Sequence, residues 1–134
     1  MDEAAAAALA RHWEEGWNGL DIDTIMAPYA EDVTFGSPFV SRFTGDPDTT
    51  TVEGYAAVRD YMAGALERAG DVRYTLDGVY TGTDTVILAY RFQRPGQPER
   101  SGADSMRVDS DGKVVEWRSC YPFAAGEIPP RDGQ

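Results

Sequence analysis

From residue 72 to residue 121 apolar and polar positions alternate with a period of two, whereas the residues before it carry mostly helical spacing. Residues 3–18 predict a first helix: the stretch is alanine-rich, and Leu9, Trp13 and Trp17, with Ala6 or Ala10, fall on one stripe. Asn18-Gly19 ends it, and Asp21 or Asp23 can cap a short second helix reaching about Tyr29, with Ile22, Ile25 and Met26 inward. Val33, Phe35 and Ser37 share one face of a brief strand that stops at Pro38. Residues 40–51 read as a polar loop. Thr50-Thr51-Val52-Glu53 then matches a capping box opening a third helix over 52–69, whose core stripe is Tyr55, Val58, Met62, Ala65, Leu66 and Ala69.

Strands are predicted at 72–81, 85–94, 103–109 and 113–121, separated by Gly82-Thr83-Asp84, Pro95-Gly96 and Asp111-Gly112. Helices first and hairpin-linked strands afterwards give an α+β fold rather than repeated βαβ units. Such an antiparallel sheet, with three N-terminal helices against one face, would curl into a cone around its own core. Residues 1–134 form one domain, with 124–134 a loose, Gly/Pro-rich tail.

One position breaks the alternation. In Asp104-Ser105-Met106-Arg107-Val108-Asp109 the apolar face is Met106 and Val108, and Asp104 is in register with them. A carboxylate on an apolar face is costly unless it is paired, hydrogen-bonded or protonated. A pocket that needs a proton donor would justify it; a strand just beginning at a wet edge would explain it too.

Charge narrows the partners. With 23 acidic against 12 basic residues the formal net charge is −11, which argues against nucleic acid and an anionic membrane surface. A single cysteine, Cys120, excludes an internal disulfide and a cysteine-based zinc site. His12 has no second histidine beside it, so neither a metal nor another cofactor is expected. Asp109-Ser110-Asp111-Gly112 hints at a calcium loop, but Arg107 and Arg118 stand at its first and twelfth ligand positions. No apolar run approaches a membrane span, and Met-Asp-Glu followed by alanines lacks a basic leader region, so a cytoplasmic location is expected.

His12 could act as a general base near neutral pH, although it lies one position off the Trp13–Trp17 stripe. By alternation Tyr29, Phe35, Leu88, Tyr90, Phe92, Trp117 and Tyr121 face inward. On the last strand Val115, Trp117, Ser119 and Tyr121 take one face, and Val114, Glu116, Arg118 and Cys120 the other. Several tyrosine hydroxyls sharing an apolar interior with Ser37 and Asp104 match the make-up of a small-molecule site. Trp13, Trp17, Tyr55, Met62 and Met106 complete the expected lining.

Tyr29-Ala30-Glu31-Asp32-Val33-Thr34-Phe35-Gly36-Ser37-Pro38, then Gly54 before the third helix, then Asp104 through Tyr121 with its Asp111-Gly112-Lys113 turn, resemble the nuclear transport factor 2-like superfamily. The resemblance covers residues 10–123 and is nearest to the ketosteroid isomerase and SnoaL-like polyketide cyclase branch. It implies a curved sheet and three helices enclosing a deep, mostly apolar pocket, and a homodimer formed through the outer sheet face. Ile87, Ala89, Arg91, Val114 and Cys120 are expected on that face. By the match of Asp-Ser-Met-Arg-Val-Asp, Asp104 takes the place of a protonated, oxyanion-binding Asp.

Departures from the family pattern bear on the chemistry. Ser37 stands where the isomerase has its basic Asp, and His12 or Trp13 where it has an oxyanion-binding Tyr. Tyr121 stands where the cyclases place an acidic base, and Arg91-Phe92-Gln93 does not supply the Arg and Asp of an epoxide hydrolase. Two functions fit. One is a cofactor-independent acid–base enzyme, an isomerase or a cyclase/dehydratase. It would act through an enol or enolate on a hydrophobic carbonyl compound, steroid-like or polyketide, with Asp104 and His12 as catalytic residues. The other is a non-catalytic binding module for a small hydrophobic ligand.

Overall fold

The computed structural model describes residues 1–122; the tail expected over 124–134 lies outside the described residues. Ten elements follow one another: α1 (Glu3–Asn18), α2 (Ile22–Met26), β1 (Tyr29–Gly36), α3 (Val40–Thr44), β2 (Thr51–Glu53), α4 (Tyr55–Ala69), β3 (Arg73–Thr81), β4 (Thr85–Gln93), β5 (Arg100–Val108) and β6 (Val114–Cys120). The six strands form one curved sheet in the order β2-β1-β6-β5-β4-β3. β3 to β6 are successive antiparallel hairpins, as local turns dictate, with Gly96 and Gly112 at φ 79° in two of the connections. β1 lies parallel to β6, the one parallel pair among the described strands. None of the described helices is long and apolar enough to cross a membrane.

Asp2 starts α1 by accepting the Ala5 N–H at 2.7 Å, and Asp21 caps α2 through the N–H groups of Asp23 and Thr24. The first strand begins at Tyr29, four residues before Val33. The stretch expected as a loop contains the short helix α3, and Thr51–Glu53 pairs with β1 as a strand instead of capping a helix. Gly54, at φ 91°, is the N-cap of α4 and makes no side-chain capping bond. Backbone pairing satisfies more groups here than a capping box would.

The core lies between the concave sheet face and the helices. α1 supplies Leu9, Trp13 and Trp17, α4 supplies Val58, Met62 and Leu66, and the sheet supplies Val33, Phe35, Val86, Leu88, Met106 and Trp117. Helix α1 also fastens to the edge strand β3. The Asn18 amide donates to the Tyr74 carbonyl and accepts the Tyr74 N–H, both at 2.8 Å, and Glu14 Oε2 accepts the Leu76 N–H at 3.1 Å.

Alternation fails where the ladder bulges. Between Arg107↔Glu116 and Val108↔Val114 the register slips by one residue, so Val114 turns into the core at 0% exposure. The outer-face position expected for Val114 is therefore corrected. A second slip separates Leu76↔Tyr90 from Gly78↔Ala89.

Candidate active site

Asp104 is buried at the centre of β5, 2% exposed, between Leu88 on β4 and Ser119 on β6. The pleat aims it at the concave face beside Met106, so its side chain must find partners inside. Two indoles and a phenol reach it. Trp13 Nε1 from α1 and Trp117 Nε1 from β6 both donate to Oδ2, at 3.0 and 2.9 Å. The Tyr90 hydroxyl from β4 donates to Oδ1 at 2.9 Å. Indole N–H groups only donate, so Oδ2 must accept from both, and the donor set suits an ionised carboxylate.

Burial pushes the Asp104 carboxyl above its ordinary pKa, while hydrogen bonds from Trp117, Ser119, Tyr90 and Trp13 pull it back. Burial, followed by the nearby Asp104 charge, likewise raises Tyr90 well above the usual phenol range. Tyr121 is pushed up to about 12 by burial and then by Asp104, while Tyr90 and Ser119 partly oppose the rise. At neutral pH these tyrosines stay protonated and can donate.

A cavity of about 260 Å³ opens beside this cluster, with a wall predominantly of apolar and aromatic side chains. Trp13, Trp17, Phe35, Ser37 and Met62 line it, as do Tyr90, Asp104, Trp117 and Tyr121, all expected from the sequence. Ser37 is 7% exposed, and its Oγ accepts the Phe39 N–H at 3.2 Å. Among the described residues, Trp17 Nε1 is a buried donor without a partner.

Other expected residues sit elsewhere. His12 is exposed on the outward side of α1, near Pro28 and Lys113, and does not line the cavity. Its next-door residue Trp13 turns inward instead, because one step along a helix rotates the side chain by about 100°. A general-base role for His12 on a ligand in this cavity is corrected by that placement. Tyr29 lies behind the wall, stacked on Trp117 with ring centroids 4.9 Å apart. Leu88 and Met106 are closed into the core, and Tyr55 packs half-buried against it.

The lining also contains residues the sequence reading did not single out. Phe39 and Phe43 come from α3 and its N-cap, Tyr61 and Arg68 from α4, and Tyr74 from β3. Arg100 was legible in principle, since Arg100, Gly102, Asp104 and Met106 share one face; placing the strand start at 103 hid it. Among the described residues no group of acidic, histidine or cysteine side chains could hold a metal ion.

The SnoaL-like domain model matches residues 10–117, most of the chain and most of the residues that line the cavity, Ser119 and Tyr121 lying beyond it. The chain belongs to the SnoaL-like domain family. Solved structures agree on the fold. A SnoaL-like protein of unknown function from Burkholderia thailandensis superposes with a TM-score of 0.81 at 24% identity, covering 92% of this chain and 99% of that one. A candidate ketosteroid isomerase from Kribbella flavida gives 0.71 at 22%, covering 96% and 86%. An NTF2-like protein of unknown function from Mesorhizobium loti gives 0.72 at 18%, covering 92% and 97%. At these identities the likeness establishes the SnoaL-like, NTF2-like fold and not an activity. No curated protein matches the sequence.

Proposed function

We propose that the protein is a cofactor-independent acid–base enzyme that enolises a hydrophobic carbonyl compound, with Asp104 as the base. The observation that carries this is the donor set around the carboxylate. Two indole N–H groups and a phenol hold an ion in an apolar wall, while burial raises its basicity. An oxyanion-donating Asp104, the role implied by resemblance, would need a proton aimed at the ligand. Oδ2 is filled by two donors and Oδ1 faces the Tyr90 hydroxyl.

The step balances simply. Asp104 takes a proton from carbon next to the carbonyl, and the C–H electron pair moves into the carbon–carbon bond. The carbonyl oxygen becomes an enolate, accepting a hydrogen bond from the Tyr121 hydroxyl, which stays protonated. Return of the proton to a different carbon is isomerisation, and attack of the enolate carbon on a second carbonyl is cyclisation. SnoaL-like and ketosteroid isomerase-like neighbours are consistent with both.

The test is α-proton exchange of 2-tetralone in D₂O, followed by proton NMR. Acceleration by the parent that Asp104→Asn abolishes supports the proposal. Exchange no faster than buffer, with 2-tetralone still bound, favours the binding module. That second reading has its own support: Asp104 joins Trp13, Tyr90 and Trp117 across three elements, as a structural tie would.

The proposal extends to a homodimer through the outer sheet face. Ile87 and Tyr80, paired across β3 and β4, are 40% and 62% exposed, and Cys120 is exposed on β6. Sedimentation giving a monomer at about tens of micromolar would argue against it.

A further inference from the structure

Arg100 lies on the same strand face as Asp104 and lines the same cavity, but unlike Asp104 it is exposed. It pairs with Phe92 at the start of β5, in register with Gly102, Asp104 and Met106. It lies four positions before Asp104, about 13 Å along the strand at a rise of roughly 3.3 Å per residue. Arg68, in the last turn of α4, and Arg94, just after β4, line the same cavity. The chain has 23 acidic and 12 basic residues, yet among the described residues this wall holds three arginines and a single carboxylate, Asp104. Chance distribution over so acidic a molecule would give the opposite balance.

The three arginines differ in what occupies them. Arg94 is engaged: a terminal nitrogen donates to the carbonyls of Arg68 and Ala69 at 2.8 and 3.3 Å, and its Nε lies 3.6 Å from Asp71. It ties the β4–β5 connection to the end of α4. Arg68 lies over the Phe43 ring at 3.6 Å, which uses the face of the guanidinium and leaves its N–H edge for a partner. Arg100 makes no ion pair among the described residues. The field of Arg68 reaches Tyr61 and that of Arg94 reaches Tyr74, each opposing the upward pull of burial on the phenol. Apolar walls with one sign of charge at the rim focus the field on an entering ion.

We infer that Arg68 and Arg100 bind a carboxylate on the ligand, placed so that its carbonyl or enolic end reaches Asp104. The substrate class is then an apolar, ring-sized acid with an oxygen function at the end remote from its carboxylate. Planar guanidinium edges suit a carboxylate through paired, charge-assisted hydrogen bonds. This inference rests on the cavity being the ligand site, as proposed above.

Calorimetric titration with 6-hydroxy-2-naphthoic acid, its methyl ester and 2-naphthol tests it, since the three share one ring system. The acid is expected to bind at least about tenfold more tightly than the ester or the naphthol, as paired charge-assisted bonds allow. Arg100→Gln and Arg68→Gln should each remove most of that preference, and added salt should narrow it. Arg107→Gln, an exposed arginine outside the cavity, should leave the preference intact. An ester that binds as tightly as the acid overturns the anion site while leaving the cavity reading in place. Equal loss in Arg107→Gln overturns it as well, by assigning the preference to overall charge. If none of the three probes binds, the cavity reading falls and the inference with it.

Discussion

Trp13 and Trp117, from the first helix and the last strand, place their indole nitrogens on the same oxygen of Asp104, at 3.0 and 2.9 Å. Helix α1 and strand β6 are thus joined through one atom. Removing the carboxylate takes away the acceptor that both buried indoles use. Asp104→Ala should cost about 3 kcal/mol or more, since each unsatisfied buried donor costs roughly 1–3 kcal/mol. Urea denaturation checks this.

Asp104→Asn should fold, because its amide oxygen can accept both indoles while its nitrogen donates to Tyr90. The folded carboxyl has a raised pKa, so its favourable contribution is complete below the unfolded value, about 3.9, and is lost as pH rises through the folded one. Stability of Asp104→Asn relative to the parent should therefore increase across that window and then level off. Paired melting curves from acid to neutral pH read it directly; a gap that shrinks with rising pH contradicts the raised pKa.

Trp117→Phe keeps a ring but removes a donor that holds the Asp104 pKa down. The exchange activity of the parent should rise with pH as Asp104 ionises, and in Trp117→Phe that rise should move to higher pH. The lost bond to a charged group should cost about 1.5–3 kcal/mol. A profile that stays in place would remove Asp104 from the role of base. His12→Ala, by contrast, should change neither rate nor profile, since His12 faces solvent.

Gly102 pairs with Tyr90, and a methyl group added there would stand 2.8 Å from the Tyr90 hydroxyl oxygen and 2.9 Å from Cζ. Gly102→Ala should therefore push Tyr90 off Asp104, costing about 1–3 kcal/mol as overpacking does. Exchange should fall by about tenfold or more if the Tyr90–Asp104 bond matters to the reaction. Unchanged exchange in a folded variant would exclude Tyr90 from the site.

Gly16 is a packing site. An added Cβ would meet Ile25 Cγ1 at 2.6 Å and the Ile25 backbone nitrogen at 3.0 Å, so Gly16→Ala would wedge α2 from α1. The substitution gains up to about 1 kcal/mol of helix propensity, and overpacking costs about 1–3 kcal/mol. Net destabilisation in thermal melting is the expected result.

Where local chemistry decides the structure, the sequence was readable. Strands β3, β4 and β6 start and stop within a residue or two of the alternation, because hairpin turns with glycine set them. The inward placement of Asp104 followed from Met106 and Val108 alone. What could not be read depends on distant partners. Thr51–Glu53 has the residues of a capping box, but pairing with β1 wins over local capping. The parallel β1–β6 pair and the bulge that turns Val114 inward leave no local mark. The Trp13 stripe was legible, but not that its indole would reach a residue 91 positions away.

Helix α1 carries Trp13 to Asp104 and also, through Asn18 and Glu14, occupies backbone groups of the edge strand β3. Lifting α1 would therefore dismantle the carboxylate cluster and uncover an unpaired strand edge in the same event. An uncovered edge is a template for pairing with another chain and for aggregation. Any ligand that binds only with Trp13 in place stabilises the docked helix by mass action. Occupancy of the cavity would then guard the sheet edge as well, and the solubility of the protein would report on its ligand.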